Sequence, residues 1–235
     1  MTTMLFLKDA YQTEAAGVVT AHTDDGVILD ASLFYAQGGG QPGDIGSLVW
    51  DGGEADVTNA VKGEGGAIVL QMTGDKPAIG QTVTQRLDWD RRFRHMRVHT
   101  GLHLLSVVIP LPVTGGAISA VKGRLDFNMP EALENKEALQ DQLNELIARD
   151  LPVRESWITD GELAANPSLV KTMSVQPPKG AGHVRLIQIG DGEAMVDLQP
   201  CGGTHVARTA EIGPVTLGKV EKKGAQNRRV NMLLA

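Results

Sequence analysis

The stretch VTQRLDWDRRFRHMRVHTGLHLLSVVIP, residues 83–110, decides the fold, because its hydrophobic period changes partway along. Residues 83–87 suit a short strand. From Asp90 onward, Phe93, Met96, Val98, Leu102, Leu105 and Val108 recur at threes and fours until Pro110 and Pro112 stop the pattern, which is the signature of a helix with one apolar face. Asp90 is the expected cap of that helix. The change of period places a domain boundary near Asp88, giving a first domain over residues 1–88 and a second over residues 89–235.

Upstream of the boundary, short strands are expected at residues 18–20, 27–29, 45–50, 56–61, 67–72 and 83–87, at spacings that suit a small barrel or sandwich. Asp25-Gly26 and Gly65-Gly66 supply the hairpin signals. Downstream, a second helix is expected over residues 130–150. It is opened by Pro130 and carries Leu133, Leu139, Leu143, Leu146 and Ile147 on one face. Strands at residues 120–127, 184–189, 194–198, 215–221 and 229–233 complete an antiparallel layer, with Gly190-Asp191-Gly192 as a hairpin turn. The fold class is α+β, helices packed on an antiparallel sheet. Residues 166–182, with Pro177-Pro178, form a loop candidate.

Composition narrows the function classes. Apolar residues at 42% and charged residues at 21% exclude a disordered chain, and the lack of a long apolar run excludes a membrane helix. The N-terminus does not read as a secretory signal, so a cytoplasmic location is expected, with no membrane partner. The net charge of −6 is unevenly divided. Residues 1–85 hold 3 basic and 11 acidic residues, whereas residues 86–235 hold 19 and 17. Only the second part suits a phosphate backbone.

Two short pairs carry the chemistry: His99-x-x-x-His103 in the first helix, and Cys201-x-x-x-His205 after an expected strand. A spacing of four on a helix puts both imidazoles on one face, within reach of one ion. Three imidazoles and one thiol suit tetrahedral zinc. Cys201 is the only cysteine of the chain, so it has no disulfide partner within it. His95, one turn before His99, competes as a ligand, while His22 and His183 read as surface or loop histidines. A rival reading makes Cys201 a thiolate nucleophile activated by His205, with the Gly202 and Gly203 amides as oxyanion hole. The glycine-rich segment 35–46 lacks the lysine and following helix of a phosphate loop, so no ATP site is expected there; it reads as an irregular barrel connection.

These residues resemble a known family. Segments 34–46, 99–105, 123–127, 201–206 and 211–213, in that order, are similar to the editing region of alanyl-tRNA synthetase and to its free-standing relatives, the AlaX proteins in their medium-length form. The resemblance spans nearly the whole chain. It implies a glycine-rich β-barrel domain followed by an editing domain. The implied activity is hydrolysis of the ester between a wrong amino acid and the 3′ end of alanine tRNA, serine first and glycine second, without the ATP-dependent aminoacylation core. It implies Zn2+ at His99, His103, Cys201 and His205, with Gly202, Gly203 and Thr204 as the loop beside it. Thr114 and Ser119 are both candidates for reading the serine hydroxyl, and Lys122, Arg124 and Asp126 are expected near the pocket. Many synthetase editing domains have threonine just before the second helix histidine; here Leu102 stands there. For the acceptor stem of the mischarged tRNA, the expected contacts are Arg91, Arg92, Arg94, Lys219, Lys222, Arg228 and Arg229. The alternative is a noncatalytic, zinc-containing tRNA-binding module associated with a synthetase.

Overall fold

The computed structural model describes residues 1–131, 135–173 and 182–235. The chain is α+β, and its backbone divides it into two compact units, Met1–Arg94 and His95–Ala235. The division falls inside one long helix, Trp89–Val108. That helix is capped by Asp88, whose carboxylate accepts the Arg91 amide at 3.0 Å, and not by Asp90 as the sequence suggested.

In the first unit six strands close into a barrel in the order Glu14–His22, Gly26–Leu29, Ile68–Met72, Gly53–Lys62, Gly46–Trp50 and Thr82–Leu87, every pairing antiparallel. Each expected strand lies within or beside one of these, and closure settles the choice between barrel and sandwich. Val19, Val27, Leu29, Leu48, Val57, Leu70 and Val83 fill the interior from alternate positions. Gly26 is required where strands cross closely, since a Cβ there would lie 1.8 Å from the Leu70 carbonyl oxygen.

The glycine-rich segment is an irregular connection organised around a buried charge. Asp44 accepts the Tyr35 amide at 2.6 Å and the Arg92 Nε at 2.9 Å. Two further Arg92 bonds reach the carbonyls of Ala10 and Leu33, at 2.9 Å and 2.7 Å. Arg92 is therefore corrected from an expected tRNA contact to a core residue: it is 1% exposed, and its donors are held by the barrel unit. No phosphate can reach it without unfolding that core.

In the second unit one antiparallel sheet runs Val215–Leu217, Asn227–Leu234, Lys122–Asn128, Val113–Ile118, and a second runs Val153–Thr159, His183–Ile189, Asp197–Pro200. The long helix packs on the first sheet through its small residues: a Cβ at Gly123 would meet Val98 and Leu102, and one at Gly101 would meet Met232. The second expected helix is Lys136–Ala148, opened by Asn135, whose side chain accepts the Ala138 amide, and not by Pro130; Leu133 lies outside the described residues. Its Leu143 and Ile147 are buried. Asn144 and Gln140 bond the backbone of Val215 and Leu217, so the helix closes a sheet edge as well as covering a face.

The strand expected at 194–198 begins only at Asp197, because Gly192–Ala194 makes a 3-10 turn. The one expected at 215–221 is split in two, Val215–Leu217 and Glu221–Lys222. Of the loop candidate, residues 174–181 lie outside the described part; before them come a 3-10 turn, Pro167–Leu169, and a short parallel bridge from Thr172 to Val113. Among the described residues no helix is long and apolar enough to cross a membrane.

Candidate metal centre

His99 and His103 project from the long helix at the spacing that puts them on one face, and both are nearly buried. The second pair arrives from the strand Asp197–Pro200, which ends just before Cys201. The donor atoms of His99, His103, Cys201 and His205 all lie within 4.8 Å of one another, so the group can hold a metal ion. The Cys201 sulfur is 3.4 Å from His99 Nε2 and 3.2 Å from His205 Nε2. A tetrahedral site with metal–sulfur and metal–nitrogen bonds of ~2.3 Å and ~2.0 Å has sulfur–nitrogen edges of roughly 3.5 Å, so the donor set fits such an ion. His95 is fully buried but stands outside this group.

The ring orientations follow from the outer partners. Thr100 donates its one hydroxyl proton to the Met96 carbonyl at 3.0 Å. Toward His205 Nδ1, 3.1 Å away, the same oxygen can only accept, so Nδ1 carries the proton and Nε2 faces the sulfur. Asp197 lies 3.0 Å from His103 Nδ1 and, as a carboxylate, also only accepts.

Electrostatics follow the same pattern. Burial alone would raise the Cys201 thiol, but His99 and His205 beside it and a hydrogen bond from His103 pull it well below its usual range. Burial would lower His103, yet bonds to Asp197 and Cys201 lift it to about 9. His205 is pushed down to about 3 by burial and then by His99. Without metal these opposite shifts favour the proton on His103 over the Cys201 thiol.

The loop 201–205 is held from below. Arg185 donates to the carbonyls of Cys201 and Gly203 at 3.1 Å and 2.9 Å, and is itself braced by Glu155 at 2.6 Å. Gly203 turns its amide toward the Cys201 sulfur at 3.4 Å, which removes one of the two donors that the thiol-nucleophile reading needs for an oxyanion hole. Thr204 is buried, whereas Gly202 is exposed and has open space where a side chain would be.

Thr114 bonds the Asp126 carbonyl and the Asn227 side chain, both at 3.1 Å. Ser119 bonds Lys122 within the hairpin turn at 3.0 Å. Because Gly123 faces the long helix, the pleat turns Lys122, Arg124 and Asp126 to the opposite face of the sheet. There Asp126 pairs with Arg124 and with Arg229, the latter at 2.8 Å, and these partners hold its carboxyl below the usual range although burial opposes them. Arg228 donates to the carbonyls of Glu131 and Pro130 at 2.9 Å and 2.7 Å. Arg94, Lys219 and Lys222 are exposed and Arg91 is half-buried.

Thr100, Asp197, Gln199, Lys171 and Arg185 escaped the sequence reading. The one available signal was alternation: in Asp197-Leu198-Gln199-Pro200-Cys201, every second residue faces the same way as the sulfur ligand.

Comparison with known proteins now identifies the family. Residues 184–231 match the model described as threonyl and alanyl tRNA synthetase second additional domain, and residues 2–91 match that of class II (A) tRNA synthetases. The alanyl-tRNA editing protein AlaX-M of Saccharolobus solfataricus is 36% identical over 239 residues, covering 98% of each chain. The chain belongs to the AlaX-M family. The AlaX-M protein of Methanosarcina barkeri is 35% identical over 246 residues, covering 100% of this chain and 99% of its own. The alanine–tRNA ligase of Korarchaeum cryptofilum is 36% identical over 232 residues, covering 94% of this AlaX-M family member and 25% of the ligase. Cys201 and His205 lie inside the matched additional-domain segment, and His99 and His103 lie between the two matched segments.

Proposed function

We propose that the chain is a trans-editing hydrolase that deacylates mischarged Ser-tRNA(Ala), and Gly-tRNA(Ala) as a second substrate, with Zn2+ held by His99, His103, Cys201 and His205. The observation that carries this reading is the convergence of those four donors in a chain that matches AlaX-M proteins from end to end. In this reading residues 89–235 form the editing domain and residues 1–88 the barrel domain that accompanies it.

The chemistry asks little of acid–base groups, because an aminoacyl ester is already activated and the site chiefly positions it against water. Zinc held by His99, His103, Cys201 and His205 would supply Lewis acidity, toward water or toward polar groups of the substrate. The chain's own residues do the rest. Thr100 holds the His205 ring, Arg185 and the Gly203 amide fix the loop that carries the sulfur, and bare Gly202 leaves room for the 3′ end to approach. Thr114 and Ser119 are the candidates for recognising the serine hydroxyl, which alanine lacks. Arg91, Arg94, Lys219 and Lys222 are the proposed contacts to acceptor-stem phosphates.

The test is deacylation of Ser-tRNA(Ala), Gly-tRNA(Ala) and Ala-tRNA(Ala) by metal-loaded protein, with and without chelator. Turnover of the serine ester, sparing of the alanine ester and loss of activity on chelation are expected. No turnover of either mischarged tRNA by fully loaded protein would overturn the reading.

A further inference from the structure

The carboxylate of Asp197 lies buried beside the imidazole of His103. Its side chain has no solvent exposure, and both oxygens are occupied: Oδ2 accepts from His103 Nδ1 at 3.0 Å and from Gln199 Nε2 at 2.8 Å, while Oδ1 pairs with Lys171 Nζ. A carboxylate without solvent is costly unless it is paired and hydrogen-bonded, and these three partners meet that condition.

We propose that Asp197 is the positioning residue of the metal centre: braced by Lys171 and Gln199, it fixes the Nδ1–H form of His103 so that Nε2 presents its lone pair to the ion. The proposal rests on the reading of the quartet as a metal site. Two observations separate it from an ordinary core ion pair. Asp197 and Gln199 alternate with Cys201, so one five-residue segment delivers the sulfur ligand and both groups that orient a ligand from the distant helix. Lys171, in turn, belongs to the segment whose backbone pairs with Val113: its carbonyl accepts the Val113 amide at 3.0 Å, and the Met173 amide donates back to the Val113 carbonyl at 2.8 Å. The brace is therefore anchored to the strand Val113–Ile118, which carries Thr114.

Outer partners of this type change metal affinity by ~10–100-fold when removed, because a ligand ring free to turn or to switch tautomer meets the ion less often in the right form. Gln199 completes the orientation by holding the same oxygen that His103 uses.

The experiment compares the unaltered chain with Asp197→Leu, Asp197→Asn and Lys171→Met. Zinc affinity is read by competition with a chromophoric chelator, cobalt spectra report the coordination number, and 15N NMR of the histidines reports the His103 tautomer. The unaltered chain is expected to bind one ion with His103 protonated at Nδ1. Asp197→Leu should weaken affinity by ~10–100-fold. Asp197→Asn, which keeps an oxygen for His103 but presents an amide to Lys171, should lose less, and adding Lys171→Met to it should recover part of that loss. Circular dichroism confirms that each variant is folded; the asparagine variants keep the question answerable if the leucine variant is not. If the unaltered chain binds a four-coordinate ion and Asp197 variants match it in affinity, the positioning role is overturned while the metal site stands. A loaded chain in which His103 carries its proton at Nε2 would overturn that role as well. If the unaltered chain binds no ion, both readings fail together.

Discussion

The carboxylate of Asp44 and the guanidinium of Arg92 meet with neither side chain exposed to solvent, 48 residues apart in the chain. Removing one partner strands the other in the barrel core. Arg92→Leu and Asp44→Asn are each expected to destabilise the fold by ~3–5 kcal/mol, measured by urea unfolding. A loss below about 1 kcal/mol in both would show that water reaches the pair.

The protonation of the metal-free pocket predicts how affinity depends on pH. With His103 lifted to about 9, its Nε2 proton must leave when an ion binds near neutral pH. Affinity should therefore rise as pH increases toward about 9 and flatten above it, with at least one proton released per ion by calorimetry in buffers of different ionisation heat. Binding without proton release would contradict the thiolate–imidazolium pairing.

Cys201 should behave as a reactive thiolate only when the ion is absent, since the imidazoles beside it depress its pKa. Iodoacetamide is expected to alkylate the chelator-treated chain readily and to spare the metal-loaded one. Equal labelling in both states would favour a free nucleophile over a ligand.

Binding of tRNA should respond to the exposed cations and not to the buried one. Replacing Arg94, Lys219 and Lys222 by alanine should flatten the salt dependence, each lost phosphate contact lowering the log–log slope by about 0.9. An unchanged slope in the triple variant would remove these residues from the interface.

Serine recognition separates the two hydroxyl candidates. Both hydroxyls are engaged: Ser119 is bonded to Lys122 in a hairpin turn, and Thr114, at the strand irregularity opposite Asp126 and Phe127, bonds the Asp126 carbonyl and the Asn227 side chain. Thr114→Val is expected to reduce the preference for Ser-tRNA(Ala) over Ala-tRNA(Ala) by ~10-fold, about the value of one hydrogen bond, with Ser119→Ala near unaltered selectivity. The opposite ranking in a deacylation assay would reassign the role.

The barrel strands and the long helix were legible because each alternates or repeats with the period of its own element, and the four donors were legible because spacing and a lone cysteine mark them. What escaped was decided by tertiary partners. Val113–Ile118 contains Gly115-Gly116, which local preference counts against a strand, yet pairing with Lys122–Asn128 holds it. Val153–Thr159 is an edge strand with mostly exposed residues, so no apolar alternation announces it. Arg92 looked like its exposed neighbours in an arginine cluster, and only the position of Asp44, far back in the chain, puts it in the core. Asp197 carried no signal beyond its alternation with Cys201 until the fold set it against His103.

The most direct measurement is the rate of Ser-tRNA(Ala) hydrolysis as zinc is added back to stripped protein. Zinc-dependent editing predicts a rate that climbs in proportion to bound zinc, stops at one ion per chain, and stays near background in Cys201→Ala at every zinc level. Full activity in the stripped protein, or in the Cys201→Ala chain, would contradict it.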